Sequence, residues 1–295
     1  MTAQIISGTE IAKQIREELR QEIIQLRTKH NLVPGLATIV VGGDPASLVY
    51  VGLKERAAKD LEIYSQRHDL PVSITKKDLL SLIDQLNKNP RINGILVQLP
   101  LPQHINETDI VCAIDPRKDV DGCHPANVGK LMIGEPDFLP CTPHGIQELL
   151  VRSGIETEGM EIVVVGRSNI VGKPIASILL QKQVGANATV TVCHSQTRDL
   201  ASHTKRADIL IIAAGRPKVI TADMVKEGVV VIDVGVNRIG ESASGKGILV
   251  GDVNFDTVKE KAKAITPVPG GVGPMTIAML MMNTVRAAKM TIGIA

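Results

Sequence analysis

Apolar positions in the first third of the chain alternate between helical and strand spacing. From Thr9 to Lys29 they recur every three or four residues, at Ile11, Ile15, Leu19 and Ile23. This spacing predicts an amphipathic helix with Thr9 as its capping residue. Further elements are predicted in the order strand 36–41, helix 46–61, strand 63–69, helix 73–89 and strand 92–99. Strands that alternate with helices indicate a parallel sheet built from right-handed crossovers.

The alternation stops between Pro116 and Pro143, where Asp, Gly, Pro and Cys dominate, and then starts again. The second series is strand 161–165, helix 172–183, strand 189–193, helix 199–206 and strands 208–213 and 229–234. The break indicates a boundary between two α/β lobes. A final helix, from about Pro274 to Lys289, is apolar on several faces and is expected to pack back on the first lobe.

Composition and charge fit a globular protein of enzyme size. The 295 residues are 44% hydrophobic and 22% charged, which is ordinary for a folded chain of two domains. A net charge of +2 without a basic run gives no electrostatic footprint for binding nucleic acid. The chain shows no signal-like start and no apolar segment of roughly 20 residues, so we expect a cytoplasmic protein that does not bind membranes.

Four cysteines at irregular spacing favour free thiols in a reducing compartment over a disulfide framework. Histidines accompany three of them, in the pairs Cys123-His124, Cys141 with His144, and Cys193-His194. None of these pairs has the close paired spacing of a structural zinc site. We therefore expect no metal and interpret the pairs as buried thiols and loop histidines.

The stretch VVVGRSNIVGKP, residues 163–174, has the outline of a strand, a glycine loop and the start of a helix. Gly166 ends the strand and Gly172 stands at the helix start, but Ser168 replaces the middle glycine of the G-x-G-x-x-G pattern of dinucleotide-binding folds. Glycine at the first position permits a sharp turn, and glycine at the helix start lets backbone N–H groups approach an anion. Taken alone, the junction could also be a structural turn without a ligand.

The strand that follows this junction favours a cofactor with an additional phosphate. It ends in His194-Ser195-Gln196-Thr197, without the Asp or Glu that binds the ribose of NAD in such folds. The missing carboxylate removes a repulsion, and Arg167 adds a guanidinium. The combination favours NADP over NAD.

Polar residues near strand ends of the first lobe are candidates for chemistry. Tyr50 and Lys54 are four residues apart on a predicted helix, so the phenol and the ammonium share one face. Such a pair is commonly only a solvated surface, but this helix follows a strand end, where ligands bind in α/β sheets. Gln98 closes an apolar strand before two prolines, and it either anchors a loop or faces a site.

Two further segments are unusual in composition. Lys118-Asp-Val-Asp-Gly122 places two acids beside a glycine turn, which by itself is typical of turn hydrogen bonding. Pro267-Val-Pro-Gly-Gly-Val-Gly-Pro274 is a stiff loop, too apolar and glycine-rich for an ordinary solvated linker. Neither segment identifies a reaction on its own.

Taken together, eight motifs resemble those of one known family. In chain order they are GGDPAS with YVGLK, GILVQLPLP, PRKDVDGCHPANVGKL, PCTPHG, VVGRSNIVGKP, CHSQT, DVGVN and PVPGGVGPMT. The bifunctional methylenetetrahydrofolate dehydrogenase/methenyltetrahydrofolate cyclohydrolase family has similar motifs in the same order, and the resemblance extends from about Gly35 to Thr276. The cofactor loop of that family is similar to GRSNIVGKP with its serine, which implies that the loop is intact here.

The resemblance implies oxidation of 5,10-methylenetetrahydrofolate with NADP+ and hydrolysis of the 5,10-methenyl product to 10-formyltetrahydrofolate. It implies an α/β fold of two parallel-sheet lobes, the second a Rossmann-type NAD(P)-binding domain, with the active site in the interdomain cleft. The expected domains are 1–121 with the C-terminal helix 275–295 for folate binding and catalysis, a connecting segment 122–145, and 146–274 for NADP. A homodimer is also implied.

Residue roles carry over where the motifs match. By resemblance, Lys54 would be the general acid/base of the cyclohydrolase step, and Gln98 would be its hydrogen-bonding partner. Tyr50 would pack against the folate rings, and the Asp121 carboxylate would accept hydrogen bonds from the pterin. Hydrolysis requires that water lose a proton and that a ring nitrogen later gain one. A lysine can move such protons where burial and a cationic substrate favour its neutral amine.

The binding residues follow from the same resemblance. Those that would shape the folate pocket are Gly271, Val272 and Pro274. Those that would contact the cofactor are Gly166, Arg167, Ser168, Ile170, Ser195, Gly235 and Thr276.

Two departures from the family pattern affect these expectations. Gln196 stands where many members have a basic residue, which leaves the NADP preference to Arg167 and Ser195. The insertion-like segment Gln183–Asn187 is expected to be a longer surface turn. Two alternatives stay open: a dehydrogenase without cyclohydrolase activity, and a non-catalytic NADP-binding protein.

Overall fold

The computed structural model describes residues 3–43, 45–241 and 247–294. Asp44, which belongs to the motif GGDPAS, lies outside the described residues. The chain divides into two compact units, which we name by their sheets. The three-stranded unit comprises Gln14–Cys141 and Ile277–Ala295, and the six-stranded unit comprises Met1–Lys13 and Thr142–Thr276.

The elements follow the alternation expected from the sequence. Through residue 132 they are β1 (Gln4–Ile5), α1 (Gly8–His30), β2 (Gly35–Val41), α2 (Pro45–Asp60), β3 (Tyr64–Leu70), α3 (Lys76–Lys88), β4 (Gly94–Val97), α4 (Glu107–Ala113) and α5 (Pro125–Met132). The others are α6 (Cys141–Arg152), β5 (Glu161–Val165), α7 (Gly172–Leu179), β6 (Thr189–Cys193), α8 (Leu200–Thr204), β7 (Ile209–Ile212), β8 (Val230–Asp233), β9 (Asn237–Glu241), β10 (Gly247–Val250), α9 (Phe255–Val258), β11 (Ala264–Ile265) and α10 (Val272–Met290).

The six-stranded unit contains a parallel sheet in the order β1-β11-β8-β7-β5-β6. Its central strands β5, β7 and β8 are almost entirely Val and Ile and are buried, as expected for strands covered on both faces. The edge strand β1 pairs with β11, Gln4 opposite Ala264 and Ile5 opposite Ile265. This pairing assigns the first strand to the six-stranded unit, whereas the domain bounds predicted from the sequence include it in the first lobe.

The strand order of this sheet reverses at β5. The chain passes from β5 to β6 on one side and then returns to β7 on the other side of β5. In an open α/β sheet, ligands bind at the carboxyl ends of the strands at such a reversal. The loops that follow β5 and β7 therefore mark the expected ligand position in this unit.

The three-stranded unit contains the parallel order β3-β2-β4, so β2 is central and all its residues are buried. The same reversal occurs here, because β3 and β4 lie on opposite sides of β2. A further extended segment runs beside β4, where Ile95 forms a parallel bridge with Asp119. The carboxyl ends of β2, β4 and this segment therefore lie along one edge of the sheet.

Helix α10 packs on the three-stranded unit through a buried amide. Asn283 Nδ2 donates hydrogen bonds to the carbonyl oxygens of Val120 at 2.8 Å and Leu139 at 2.9 Å. The predicted core face of α1 is confirmed, since Ile15, Leu19 and Ile23 are at most 3% exposed.

The insertion-like segment forms a surface turn, as predicted. Val184 is 92% exposed, and Gly185 adopts a positive φ of 74°. Within the described ranges, no helix has the length and apolar character to cross a membrane.

Candidate active site

Helix α2 places Tyr50 and Lys54 one turn apart at the reversal point of the three-stranded sheet. Lys54 is only 9% exposed, and Tyr50 is half-buried. Burial raises the pKa of the Tyr50 phenol, so the ring keeps its hydroxyl proton at neutral pH. A buried lysine is rare without a partner, so the neighbouring groups determine what this side chain can do.

Gln98 is the hydrogen-bonding partner of Lys54. The Lys54 Nζ atom donates to Gln98 Oε1 at 2.9 Å. The other end of the amide is fixed, because Gln98 Nε2 donates to the carbonyl oxygen of Leu99 at 2.7 Å. The amide therefore presents its oxygen, and not its N–H groups, to the amine of Lys54. The backbone N–H of Gln98 continues the ladder of β4 by donating to Ile39 at 2.9 Å.

The three polar side chains of the segment Lys118–Gly122 have different surroundings. Lys118 Nζ donates to the carbonyl oxygens of Leu86 and Asn89, at 3.1 and 2.9 Å, and so closes the C-terminal end of α3. Asp119 is 2% exposed and binds the following turn, accepting from His124 N at 2.7 Å. Asp121 follows at the carboxyl end of this extended segment.

The Asp121 side chain lies close to two thiols. Burial raises the pKa of the Cys123 thiol well above its usual range, and the Asp121 carboxylate raises it further. The pKa of Cys141 is raised by burial and by Asp121, while the ammonium of Lys54 acts in the opposite direction. The parallel bridge between Ile95 and Asp119 puts Asp121 beside the carboxyl end of β4, so Asp121 and the Lys54–Gln98 pair lie along the same edge of the sheet.

These residues form a polar group along one edge of the three-stranded sheet, with a clear chemical capacity. A buried amine with an oriented amide oxygen can exchange a proton with water or with a substrate nitrogen. A nearby carboxylate can accept hydrogen bonds from a nitrogen-rich ring, and a half-buried phenol ring offers a flat apolar surface.

The glycine loop of the six-stranded unit is built for close backbone approach. Gly166 has a φ of 140°, and a Cβ atom there would lie 2.3 Å from the carbonyl oxygen of Ala213. A Cβ atom at Gly172 would lie 2.2 Å from the Gly166 oxygen. No other residue type fits at either position without displacing the backbone.

Ser168 satisfies backbone N–H groups at the start of α7. Its Oγ accepts hydrogen bonds from the backbone N–H of Val171 at 3.1 Å and of Gly172 at 3.4 Å. Both lone pairs of the hydroxyl are engaged, so its own proton is left to donate to an anion. The serine thus replaces the middle glycine with a donor of hydrogen bonds.

The loop after β6 presents polar groups and no carboxylate. Ser195 and Gln196 are exposed at its tip, and the loop is closed by His194 N, which donates to Thr197 Oγ1 at 2.9 Å. The next acid along the chain, Asp199, accepts from Ser202 N at 3.2 Å as the N-cap of α8. Arg167 is exposed, and among the described residues it has no ion-pair partner.

Two buried carboxylates, Asp233 and Asp252, join loops at this end of the six-stranded sheet, and sequence reasoning missed both. They are 3% and 0% exposed. Asp233 ends β8, and Asp252 lies two residues after β10. The available signal was an acid at or just after the end of an apolar strand, but a surface turn explains that pattern equally well.

Residues 6–121 match the catalytic domain of the tetrahydrofolate dehydrogenase/cyclohydrolase family, and residues 140–292 match its NAD(P)-binding domain. The chain belongs to the tetrahydrofolate dehydrogenase/cyclohydrolase family. The bifunctional protein FolD of Syntrophus aciditrophicus, a member, is 64% identical over 294 residues, and the match covers 100% of both chains.

Solved structures of this family are also similar over the whole chain. The FolD methylenetetrahydrofolate dehydrogenase/cyclohydrolase of Campylobacter jejuni is 48% identical with a TM-score of 0.92, covering 98% of this chain and 99% of the other. The Trypanosoma brucei enzyme, solved with NADP cofactor and an inhibitor, is 39% identical with a TM-score of 0.94 and 99% coverage of both chains. The expected α/β fold with a Rossmann-type NAD(P)-binding domain is confirmed.

The residues implied by the family resemblance fall into two groups. Those in the three-stranded unit are Tyr50, Lys54, Gln98 and Asp121. Those in the six-stranded unit are Gly166, Arg167, Ser168, Ile170, Ser195, Gly235, Gly271, Val272, Pro274 and Thr276. Within the second group, Val272 is 4% exposed, and the Thr276 hydroxyl shares a 2.9 Å hydrogen bond with that of Thr142.

Proposed function

We propose that this protein is a bifunctional enzyme of one-carbon folate metabolism. It oxidises 5,10-methylenetetrahydrofolate to 5,10-methenyltetrahydrofolate with NADP+ and hydrolyses the methenyl compound to 10-formyltetrahydrofolate. Full-length similarity to bifunctional members of the family supports this proposal. The observation that carries it is the buried Lys54–Gln98 pair, because hydrolysis needs a proton-transfer group and hydride transfer does not.

In the hydrolytic step, Lys54 takes a proton from water as the water oxygen bonds to the methenyl carbon. The bond from that carbon to N5 then breaks as the new hydroxyl becomes the formyl carbonyl. N5 takes up the proton held by Lys54, the hydroxyl proton is released to solvent, and the formyl group stays on N10. Gln98 accepts one N–H of the amine through its fixed oxygen, which directs the nitrogen lone pair away from the amide.

The substrate-binding roles belong to Tyr50 and Asp121. The half-buried ring of Tyr50 lies one helical turn before Lys54 and supplies a flat surface for the folate rings. The Asp121 carboxylate accepts hydrogen bonds from the ring N–H and amino group of the pterin, which are paired donors. By family resemblance, Gly271, Val272 and Pro274 also contribute to folate binding.

The six-stranded unit fits a phosphorylated dinucleotide. The loop Gly166–Gly172 lies at the strand reversal, and its glycines leave room for a pyrophosphate beside the helix start. Ser168 keeps a proton to donate, and the loop at Ser195 holds no carboxylate to repel a 2′-phosphate. Arg167 supplies the positive charge. NADP+, when bound, accepts the hydride that leaves the methylene carbon.

The proposal is tested by a spectrophotometric time course with methylenetetrahydrofolate and NADP+. Reduced cofactor and methenyl compound are recorded together, with a matched run on NAD+. We expect NADPH to form while little methenyl compound accumulates. Accumulation of the methenyl compound in step with NADPH would show a dehydrogenase without hydrolysis. A lack of signal with both cofactors would contradict the enzymatic proposal and favour a non-catalytic NADP-binding protein.

We further infer that the enzyme is a cytoplasmic homodimer without a nucleic-acid partner. The near-neutral charge argues against a nucleic-acid partner, and the free cysteines fit a reducing compartment. The homodimer is what the family resemblance implies. Sedimentation analysis should give twice the chain mass of 31.6 kDa. A particle of the single-chain mass at working concentration would contradict it.

A further inference from the structure

Three loops of the six-stranded unit meet at the buried carboxylates of Asp233 and Asp252. The first loop follows β7, the second follows β8, and the third follows β10. A buried carboxylate needs donors at both oxygens, since an unpaired one is costly in a low-dielectric interior. The positions of these donors show which loops each carboxylate connects.

Asp233 joins the second and third loops. Its Oδ1 accepts from the backbone N–H of Gly235 and of Asp252, both at 3.0 Å. Its Oδ2 accepts from Val253 N at 2.9 Å. A Cβ atom at Gly251 would lie 1.8 Å from this oxygen, so the third loop passes directly over the carboxylate.

Asp252 reaches back from the third loop to the first. Its Oδ2 accepts from the backbone N–H of Ala214 at 2.7 Å and of Gly215 at 2.8 Å. Its Oδ1 accepts from the side-chain Nδ2 of Asn237 at 2.8 Å. Three donors converge on this side chain, and an ionised carboxylate has only acceptor atoms. The arrangement is therefore preorganised and charge-assisted.

The backbone held by Asp252 is that of the proposed dinucleotide site. The Ala213 oxygen is the atom that a Cβ at Gly166 would meet, so the first loop packs directly on the glycine turn. A Cβ atom at Gly235 would lie 2.2 Å from the Asp252 carboxyl carbon, so this carboxylate also sets the position of the second loop. Asp252 thus contacts the backbone just after β7 and the backbone just after β8.

We propose that Asp252 is a positioning residue for NADP: its buried carboxylate fixes the Ala214–Gly215 backbone and Gly235 in the arrangement that receives the cofactor. The inference rests on the proposed dinucleotide site and deepens it. Asp252 acts through these backbone segments and is not itself a ligand of the cofactor. Its loss should therefore weaken cofactor binding while the chemistry of the three-stranded unit persists.

The proposed enzyme supplies its own control, because hydrolysis of methenyltetrahydrofolate can be assayed without a dinucleotide. Asp252→Ala leaves the two backbone donors unpartnered, and we expect the NADPH Kd and the NADP+ KM to rise about tenfold or more. Asp252→Asn keeps one acceptor oxygen for these donors, so its effect should be smaller. Both variants should hydrolyse the methenyl compound within about twofold of the wild-type rate. The matched control is Asp256→Ala, which removes an exposed carboxylate of the same unit and should change neither measurement.

NADPH binding is measured by fluorescence titration, which does not depend on turnover. An unchanged Kd in Asp252→Ala, or a parallel loss of both activities together with a lowered Tm, would overturn the positioning role. If Asp252→Ala does not fold, Asp252→Asn and Asn237→Ala carry the test, and unchanged Kd values in both overturn the inference. If the wild-type protein binds NADPH but turns over no folate, the proposed function fails while the Kd comparison still decides the role of Asp252. If it binds no NADPH at all, both proposals fail.

Discussion

Replacing Lys54 by methionine separates proton transfer from every other contribution of this side chain. Methionine is unbranched and of similar length, so it fills the space of a residue that is 9% exposed. The change removes the 2.9 Å hydrogen bond to Gln98 but leaves the bond from Gln98 Nε2 to Leu99. A lost hydrogen bond to a charged group costs about 1.5–3 kcal/mol, and relief from burying the charge offsets part of that cost. We expect the free energy of unfolding to fall by about 2 kcal/mol or less, so the fold should survive.

The two activities should respond very differently to Lys54→Met. A positioned general acid/base contributes about a hundredfold to ten-thousandfold to a rate, or about 3 to 5 kcal/mol of barrier. Hydrolysis of methenyltetrahydrofolate should therefore fall by at least about a hundredfold. NADPH formation from methylenetetrahydrofolate needs no proton transfer and should change by less than about tenfold. The assay records both reactions on the same enzyme preparation.

Two companion variants make the Lys54 result decisive. Lys54→Arg keeps a cation that donates hydrogen bonds but does not deprotonate, so it should be as poor a hydrolase as Lys54→Met. Lys59→Met removes an exposed lysine from the same helix and should leave both activities unchanged. Hydrolysis at the wild-type rate by Lys54→Met, or by Lys54→Arg, would refute the proton-transfer role.

Three further predictions concern the six-stranded unit. Ser168→Ala removes the acceptor of two backbone N–H groups, so the Tm should fall by the equivalent of about 1 kcal/mol and the NADP+ KM should rise several-fold; an unchanged KM would exclude a cofactor role. Gln196→Arg restores a basic side chain at an exposed loop tip, so the NADP+ KM should fall about twofold to fivefold while the NAD+ KM stays constant. Burial raises the pKa of Asp233 from 3.8 to about 6, so the folded state favours the protonated carboxyl. The resulting stabilisation, on the order of 3 kcal/mol, is complete below about pH 4 and is lost as the pH rises through about 6. Urea unfolding of the wild type and of Asp233→Asn across this range should show a flatter pH dependence in the variant.

The strands were predictable because their signal is local. The apolar β-branched runs gave β5 and β6 with the same bounds that the structure has. Helices α5 and α6 were missed, since they lie in or overlap a segment rich in Pro and Gly. In α6 the glycine is not a helix breaker: a Cβ atom at Gly145 would lie 2.8 Å from Met275 Cβ, so close packing explains its presence. A neighbour 130 positions along the chain leaves no local trace in the sequence.

The candidate site was predictable only in part for the same reason. Spacing of four put Tyr50 and Lys54 on one face, but the partner Gln98 lies 44 positions away and is brought close by the pairing of β4 with β2. The roles of these residues came from resemblance to a family and not from their spacing. Asp252 holds backbone donors 37 and 38 positions away, so only the folded sheet could identify it.

The two thiols near Asp121 also determine how the protein can be handled and labelled. The thiolate is the form that attacks alkylating reagents and oxidants, and burial and carboxylate charge both suppress it at Cys123 and Cys141. Cys193 is buried with a raised pKa as well, whereas Cys112 is exposed. A maleimide dye should therefore attach first at Cys112, on α4, and provide a spectroscopic reporter without blocking the polar group around Lys54.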